Sequence, residues 1–86
     1  MLLYHIAYYL PKNPGERLIR AEVLDFPGIS TQGYDLSETR RTITRELMDA
    51  ALLYRSERRQ LPAPDPAADS EYADIVEITP VLSAGY

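Results

Sequence analysis

The stretch from Asp35 to Gln60 has the pattern of one long amphipathic helix, and it limits the fold of this 86-residue chain more than any other feature. Asp35 is a strong N-capping residue type, and Glu38 stands three positions later, where a capping box has its acid. Mostly apolar residues then recur every three or four positions: Leu36, Thr39, Ile43, Leu47, Ala50, Ala51 and Tyr54. Prolines at positions 62 and 64 end the pattern. Because a helix must bury its apolar face, we expect the flanking segments to form a second layer.

Four segments outside the helix have the alternation of β-strands. They are predicted at Leu2–Leu10, Arg17–Leu24 and Ile29–Tyr34 before the helix, and at Tyr72–Thr79 after it. We expect Tyr4 and Tyr8 to face the helix, together with the alternating set that begins at Ile19. In the last strand we expect Val76 and Ile78 to point inward. The sequence therefore predicts an α+β, two-layer fold of order β-β-β-α-β. One long helix packs on a mixed four-stranded sheet, with the last strand parallel beside the first.

The chain is long enough for one small domain, predicted to span residues 1–80, with a C-terminal tail at residues 81–86. Residues 62–71 are predicted to be an extended, proline-rich linker, and no DNA-binding module is expected after the domain. The sequence has no cysteine, which removes disulfides and thiolate metal sites and suits a reducing cytoplasm. The apolar run at the N-terminus stops at Pro11 and lacks a basic flank, so neither a membrane span nor a signal peptide is predicted.

The charge of the chain favours a protein partner over nucleic acid. Thirteen acids against nine Lys and Arg give a net charge of −4. Between Asp65 and Glu77 the sequence has acids and no Lys or Arg. The helix carries six arginines, but acids are interleaved with them, which is typical of a solvated helix face and not of a nucleic-acid stripe. We therefore expect no direct nucleic-acid binding and a basic protein as the better partner.

Catalytic patterns are weak in this sequence. The strand order resembles the start of a ribonuclease H-like fold, but a two-metal nuclease needs converging carboxylates and the first strand has no acid. His5 is the only histidine, and no serine, cysteine or acid is near it in sequence, so we interpret it as a packed or surface residue. Neither a Gly-x-Ser-x-Gly motif nor a glycine-rich phosphate loop occurs. We predict no catalytic, cofactor-binding or metal-binding residue, and no enzyme.

From Glu22 to Pro64 the sequence resembles the HicB-like antitoxins of bacterial toxin–antitoxin systems. The resemblance is carried by a strand that closes in Asp25-Phe26-Pro27-Gly28, by Gly33, by a helix start at Asp35-Leu36-Ser37-Glu38, and by Leu61-Pro62-Ala63-Pro64 after the helix. Two features depart from the family pattern. Thr39-Arg40 follow Glu38 where members often have another acid and an alanine, and longer members carry a C-terminal operator-binding segment.

The resemblance implies a degenerate ribonuclease H-like fold without catalytic carboxylates and without a cofactor. It also implies an antitoxin that covers the active site of a small, basic, mRNA-cleaving, HicA-like toxin. The alternative is a stand-alone, oligomeric regulatory or ligand-binding module of the same fold that has no toxin partner. Within the motif we expect Phe26, Pro27 and Gly28 to be a conformational device, with Gly28 at positive φ and Gly33 permitting the bend into the helix.

Self-association as a dimer or tetramer is also predicted, because one helix can cover only one face of the sheet. The apolar residues predicted on the uncovered face are Leu3, Ala7, Tyr9, Leu18 and Leu24. A monomer would leave these side chains in water, so we expect a second copy to cover them. Pairing of the edge strand Ile29–Tyr34 across a two-fold axis is the alternative route.

Overall fold

The computed structural model describes residues 1–82, which form four strands and one helix. In chain order these are β1 (Leu2–Tyr9), β2 (Ile19–Val23), β3 (Ser30–Gly33), α1 (Leu36–Ser56) and β4 (Ile75–Val81). The strands form one sheet of order β3-β2-β1-β4, and α1 packs on one of its faces. The predicted two-layer α+β fold and its β-β-β-α-β order are confirmed.

The direction of β4 differs from the prediction. Every neighbouring pair of strands in the sheet is antiparallel. Along the β1–β4 pair, the register runs from Ile75 opposite Tyr8 to Val81 opposite Leu2. The prediction of a mixed sheet with β4 parallel to β1 is therefore wrong, although the position of β4 beside β1 is right.

The path of residues 61–74, which we call the linker, explains this direction. At its start, the Tyr4 hydroxyl donates to the Pro62 carbonyl at 2.7 Å. At its end, the Asp74 N–H donates to the carbonyl of Tyr8, near the far end of β1, at 2.9 Å. The linker thus travels the length of β1 before β4 begins, and β4 can only run back in the opposite direction.

The core lies between α1 and alternate residues of the sheet. Its fully buried members are Tyr4, Ile6, Tyr8, Ala21, Phe26, Ile43 and Leu47. Val23 and Val81 are almost fully buried in the same core. The prediction that Tyr4, Tyr8 and the Ile19 set face the helix is confirmed. The prediction for β4 is wrong, because the register opposite β1 turns Ile75 and Val81 toward α1 and leaves Val76 and Ile78 on the other face.

The segment Phe26-Pro27-Gly28 makes the corner between β2 and β3. Gly28 has φ +89°, as predicted, and the Val23 N–H closes the corner by donating to the Ile29 carbonyl at 3.0 Å. The Phe26 ring is buried against Tyr4, with ring centroids 5.4 Å apart. The corner is therefore a conformational device that also anchors a core aromatic ring.

The first turn of α1 is tied to its cap by a different pair of bonds from the predicted capping box. Asp35 Oδ1 accepts the Glu38 N–H at 2.7 Å, as expected of an N-cap. Within residues 1–82 the Glu38 carboxylate makes no return bond, and the Thr39 hydroxyl instead donates to the Asp35 carbonyl at 2.8 Å. Gly33 lies against this turn, because a Cβ built on it would be 2.4 Å from Thr39 Oγ1. Gly33, which does not have a positive φ, thus allows β3 to pack closely on the first turn of α1.

The helix ends at Ser56, earlier than the predicted Gln60. Arg58 adopts φ +56°, a left-handed conformation that an α-helix cannot continue through. Its N–H donates to the Arg55 carbonyl, and the Arg59 N–H donates to the Tyr54 carbonyl at 2.8 Å. This is the Schellman arrangement, in which the left-handed position is usually a glycine.

The C-terminal boundary also differs from the prediction. The last strand was predicted to end at Thr79, but β4 continues through Pro80, which lies opposite Leu3. An edge strand tolerates proline where the backbone N–H of another residue would point to solvent, because no ladder hydrogen bond is lost there. Val81, which was assigned to the tail, is buried against the core, so the domain includes it. Leu82 is exposed, and residues 83–86 of the predicted tail lie outside the described residues.

Candidate functional site

The outer face of the sheet, which we define as the face turned away from α1, is partly covered by the linker. Asp65 donates its N–H to Asp25 Oδ2 at 3.1 Å. Further along, the hydroxyls of Ser70 and Tyr9 are 2.7 Å apart. Since Asp25 and Tyr9 lie toward opposite ends of this face, the linker crosses it between the two bonds.

His5 and Asp25 form a hydrogen-bonded couple beneath the start of the linker. The His5 Nδ1 and Asp25 Oδ2 are 2.8 Å apart, and Asp25 Oδ1 accepts the His5 backbone N–H, also at 2.8 Å. Both side chains are nearly buried. Burial alone would raise the pKa of Asp25, but the bonds from His5 and from the Asp65 N–H outweigh it and hold that pKa below its ordinary value.

This couple was missed in the sequence because its members are twenty residues apart. His5 was interpreted as a packed or surface residue with no acid nearby, and it is indeed packed. The β1–β2 pairing nevertheless brings Asp25, just after β2, to its ring. An acid directly after a strand that pairs with the histidine's strand was the signal that could have revealed it.

The chemistry available to the couple is limited to orientation and proton exchange. A carboxylate that holds Nδ1 fixes the ring orientation, as it does for histidines that act as general bases. In residues 1–82, however, no hydroxyl or thiol is bonded to the His5 ring, and no group of three or more His, Cys, Asp or Glu is placed to hold a metal ion. The bonds that exist join β1, the end of β2 and the linker.

A groove of about 400 Å³ opens on the outer face beside His5. Its lining residues are Met1, Leu2, Leu3, His5, Pro64, Pro66 and Ile78. Leu3 is 47% exposed and Ile78 is 61% exposed, so its walls are apolar and open to solvent. We call this feature the outer-face groove.

Acidic side chains lie along the linker, and one of them is beside the outer-face groove. Asp65 lies between the two prolines that line it, and Asp69 and Glu71 flank Ser70 on the same linker. All three acids are exposed, and the linker contains no Lys or Arg. The groove therefore has apolar walls and one acid, Asp65, beside it, whereas Asp69 and Glu71 lie toward the Tyr9 end of the outer face.

The residues predicted to line an interface are only partly available. Leu3 and Leu18 are exposed, Leu24 is half-buried, and the Tyr9 hydroxyl is held by Glu22 at 2.8 Å as well as by Ser70. Ala7 is fully buried within the single chain, so it cannot contribute to a contact with another molecule. The prediction assumed an uncovered face, and the linker crosses that face.

Val76 and Ile78 are the outer-face residues that the sequence reasoning placed elsewhere. Both point away from α1 and are exposed. By contrast, the motif residues Phe26, Pro27, Gly28, Gly33, Asp35 and Glu38 lie in the corner and the helix start described above. They shape the fold around the groove and do not line it.

The arginines of α1 were interpreted as a solvated face, and two that have contacts in the structure fit this interpretation. Arg40 donates through Nε to Glu77 Oε1 at 2.8 Å. Arg59, just after the helix, pairs with Glu57 and lies 4.0 Å above the Tyr54 ring centroid. Both contacts are exposed; that of Arg59 is local, whereas that of Arg40 joins the helix surface to β4.

Comparisons of the chain with models of known protein families, with curated proteins and with solved structures find no match. Within residues 1–82, α1 is too polar to cross a membrane.

Proposed function

We propose that this chain is a non-catalytic, HicB-like antitoxin domain that acts in the cytoplasm and binds a small, basic, mRNA-cleaving toxin through the outer-face groove. The observation that carries the proposal is the groove itself: exposed apolar walls at Leu3 and Ile78, with the exposed acid Asp65 of the linker beside them. Interfaces of this kind take a buried apolar anchor at their centre and charged groups at their rim. A basic partner fits that acid, because complementary charge speeds encounter and disfavours wrong partners.

The motif that carries the family resemblance supports the same site. Phe26 and Gly28 fix the corner after β2, and that corner holds Asp25 against His5 and Asp65. Through Asp25, the motif fixes where the linker crosses the outer face. A change in the corner would therefore disturb the groove without touching a partner directly.

Co-expression with the protein encoded by the neighbouring open reading frame tests the proposal. We expect a small basic product that is retained with the tagged chain in a pull-down and that loses its mRNA-cleaving activity in the complex. Ile78→Asp should abolish retention, because it places a charge in the apolar wall. Leu52→Asp is the matched control, since Leu52 is 58% exposed but lies on α1.

The outcome that would remove the proposal is equally definite. A neighbouring basic protein that forms no complex at about micromolar concentration would exclude an antitoxin role for this chain, because functional complexes are expected to be tighter. Retention that is lost with Leu52→Asp and kept with Ile78→Asp would place the binding surface on α1 instead.

The second candidate is a homo-oligomeric module of the same fold without a toxin. The observation that favours it is the exposure of Val76 and Ile78 on β4, which is an edge strand of the sheet. Two copies that pair along β4 would satisfy the free edge and place these side chains beside those of the second copy. Sedimentation at about 100 µM distinguishes the candidates, because weak dimers would assemble at that concentration. A monomer there, with Leu3→Glu leaving stability unchanged, would exclude this candidate.

A further inference from the structure

A second pocket lies at the other end of the outer face, away from the groove. Its volume is about 610 Å³, which is within the range of small-molecule sites. Its lining includes Tyr9, Lys12, Arg17, Arg20, Gln32 and Tyr72. We call this feature the hairpin pocket, because residues of the β1–β2 connection form much of its wall.

The hairpin pocket concentrates positive charge on an acidic chain. Three of the nine basic residues of the sequence line it, namely Lys12, Arg17 and Arg20, against the single acid Glu16. The Glu16 carboxylate is already used, because it accepts the Asn13 side-chain amide at 2.9 Å and the Lys12 backbone N–H at 3.0 Å. Bonds from Lys12 and Asn13, with a smaller effect of the Arg20 charge, lower the pKa of Glu16, and the same bonds turn its carboxylate to the loop.

Two of the three cations form no ion pair in the described part of the chain, although the charge of Arg20 acts on Glu16 from a longer distance. Lys12 is ion-paired with Asp74. Arg17 and Arg20 form no ion pair within residues 1–82. Two unpaired guanidinium groups that line one pocket are suited to a bidentate, charge-assisted contact with a carboxylate or phosphate.

The position of Arg20 is held by its neighbours. Its guanidinium carbon lies 4.7 Å from the Tyr9 ring centroid, and the Tyr9 hydroxyl is fixed by Glu22 and Ser70. A cation that rests on a fixed ring loses little freedom when it binds an anion. Gln32, opposite Arg20 on β3, adds an amide to the same wall.

An exposed aromatic ring completes the pocket. Tyr72 is 78% exposed and lines the same wall, so its ring is open to a planar group. We infer that the hairpin pocket binds a small organic anion, with its phosphate or carboxylate on Arg17 and Arg20 and a planar part against Tyr72. This inference uses a different part of the outer face from the proposed toxin contact and does not depend on it.

Titration of the ¹⁵N-labelled chain at low ionic strength tests the inference. The probes are AMP, which has a phosphate and a planar base, benzoate, which has a carboxylate and a ring, and adenosine, which lacks the anion. We expect AMP or benzoate to shift the amide signals of Arg17, Arg20, Gln32 and Tyr72 in a saturable way. Adenosine should bind more weakly. Whichever of the two anions binds more tightly identifies the phosphate or the carboxylate class.

Arginine variants supply the control. Arg17→Gln and Arg20→Gln should each weaken binding about tenfold, as expected for loss of one charge-assisted contact. Arg45→Gln removes the same charge from an exposed position on α1 and should change binding less than twofold, because a distant exposed charge is largely screened. Equal weakening by all three variants, equal binding of adenosine, or no saturable shift with either anion would overturn the inference.

Discussion

Adding one methyl group at Gly33 should destabilise this domain through a single contact. A Cβ at this position would be 2.4 Å from Thr39 Oγ1 and 3.4 Å from both Thr39 Cα and Thr39 Cβ. The Thr39 side chain is fully buried, and its hydroxyl is held by the Asp35 carbonyl at 2.8 Å. Gly33→Ala must therefore either break that bond or push β3 away from α1.

Overpacking of a well-packed core costs roughly 1–3 kcal/mol, and we expect about 2 kcal/mol for Gly33→Ala because only one flexible atom is severely in the way. Thr39→Ala alone should cost about 1–2 kcal/mol, from the lost hydrogen bond and the space left behind. The double variant removes the clashing hydroxyl, and its Cβ then meets atoms 3.4 Å away. Its loss of stability should be smaller than the sum of the two single losses by about 1–2 kcal/mol.

Urea unfolding of the four proteins of this cycle, followed by far-ultraviolet circular dichroism, measures the coupling. Gly28→Ala combined with Thr39→Ala is the matched control, because Gly28 has φ +89° but open space around its Cβ. The loss of stability caused by backbone strain in Gly28→Ala should add to the loss caused by Thr39→Ala, with no coupling between them. Additivity within about 0.5 kcal/mol for the Gly33 pair would refute the close-approach explanation of this glycine.

Three further substitutions test separate parts of the account. Arg58→Gly should raise the free energy of unfolding by about 1 kcal/mol in chemical denaturation, because Arg58 occupies a left-handed position that glycine adopts without strain; an unchanged value would contradict the Schellman assignment. Gly28→Val should lower that free energy by about 1–3 kcal/mol, seen as a lower Tm, and an unaltered Tm would exclude strain at the corner. Asp25→Asn should be less stable than the parent at pH 7. The pKa of Asp25 is lower in the folded state than its ordinary value of 3.8, so the ionised carboxylate stabilises the fold at a pH above that value. That stabilisation is lost as the pH falls through the folded pKa, so the gap between the two proteins in pH-dependent melting should close below about pH 4, and a gap independent of pH would contradict it.

The sequence was sufficient to predict the elements whose residues repeat with a clear period. The apolar spacing identified the helix α1, and the alternation identified the strand β1. Residues such as Tyr4 and Tyr8 were placed on the correct face of the sheet. Gly28 was predicted from its position after proline, because local backbone geometry depends on neighbouring residues. These features depend on short-range patterns, which the sequence contains.

The features that were missed depend on contacts between distant residues. The antiparallel direction of β4 follows from the linker path, and that path is fixed by bonds of Asp65 to Asp25 and of Ser70 to Tyr9. The linker has no apolar period, so nothing local indicates which face it crosses. The register of Ile78, and with it the outer-face groove, changes once β4 reverses.

The end of the helix shows a different limit of sequence reasoning. The pattern of α1 continues to Gln60, but Arg58 takes a conformation that is unusual for its residue type. Local propensity favours helix at these residues. The helix nevertheless ends, because the N–H groups of Arg58 and Arg59 form capping bonds with carbonyls of the last turn. Such a stop cannot be predicted from the residue type at that position.

The central claim is that the outer-face groove is the surface that binds a basic protein. Methyl-labelled spectra of the chain, recorded with and without the neighbouring basic protein, locate the contact directly. We predict that the methyl signals of Leu3 and Ile78 shift on complex formation, while those of Leu52 and Leu53, also exposed but on α1, stay in place. Shifts at Leu52 and Leu53 with unchanged Leu3 and Ile78 would contradict the claim.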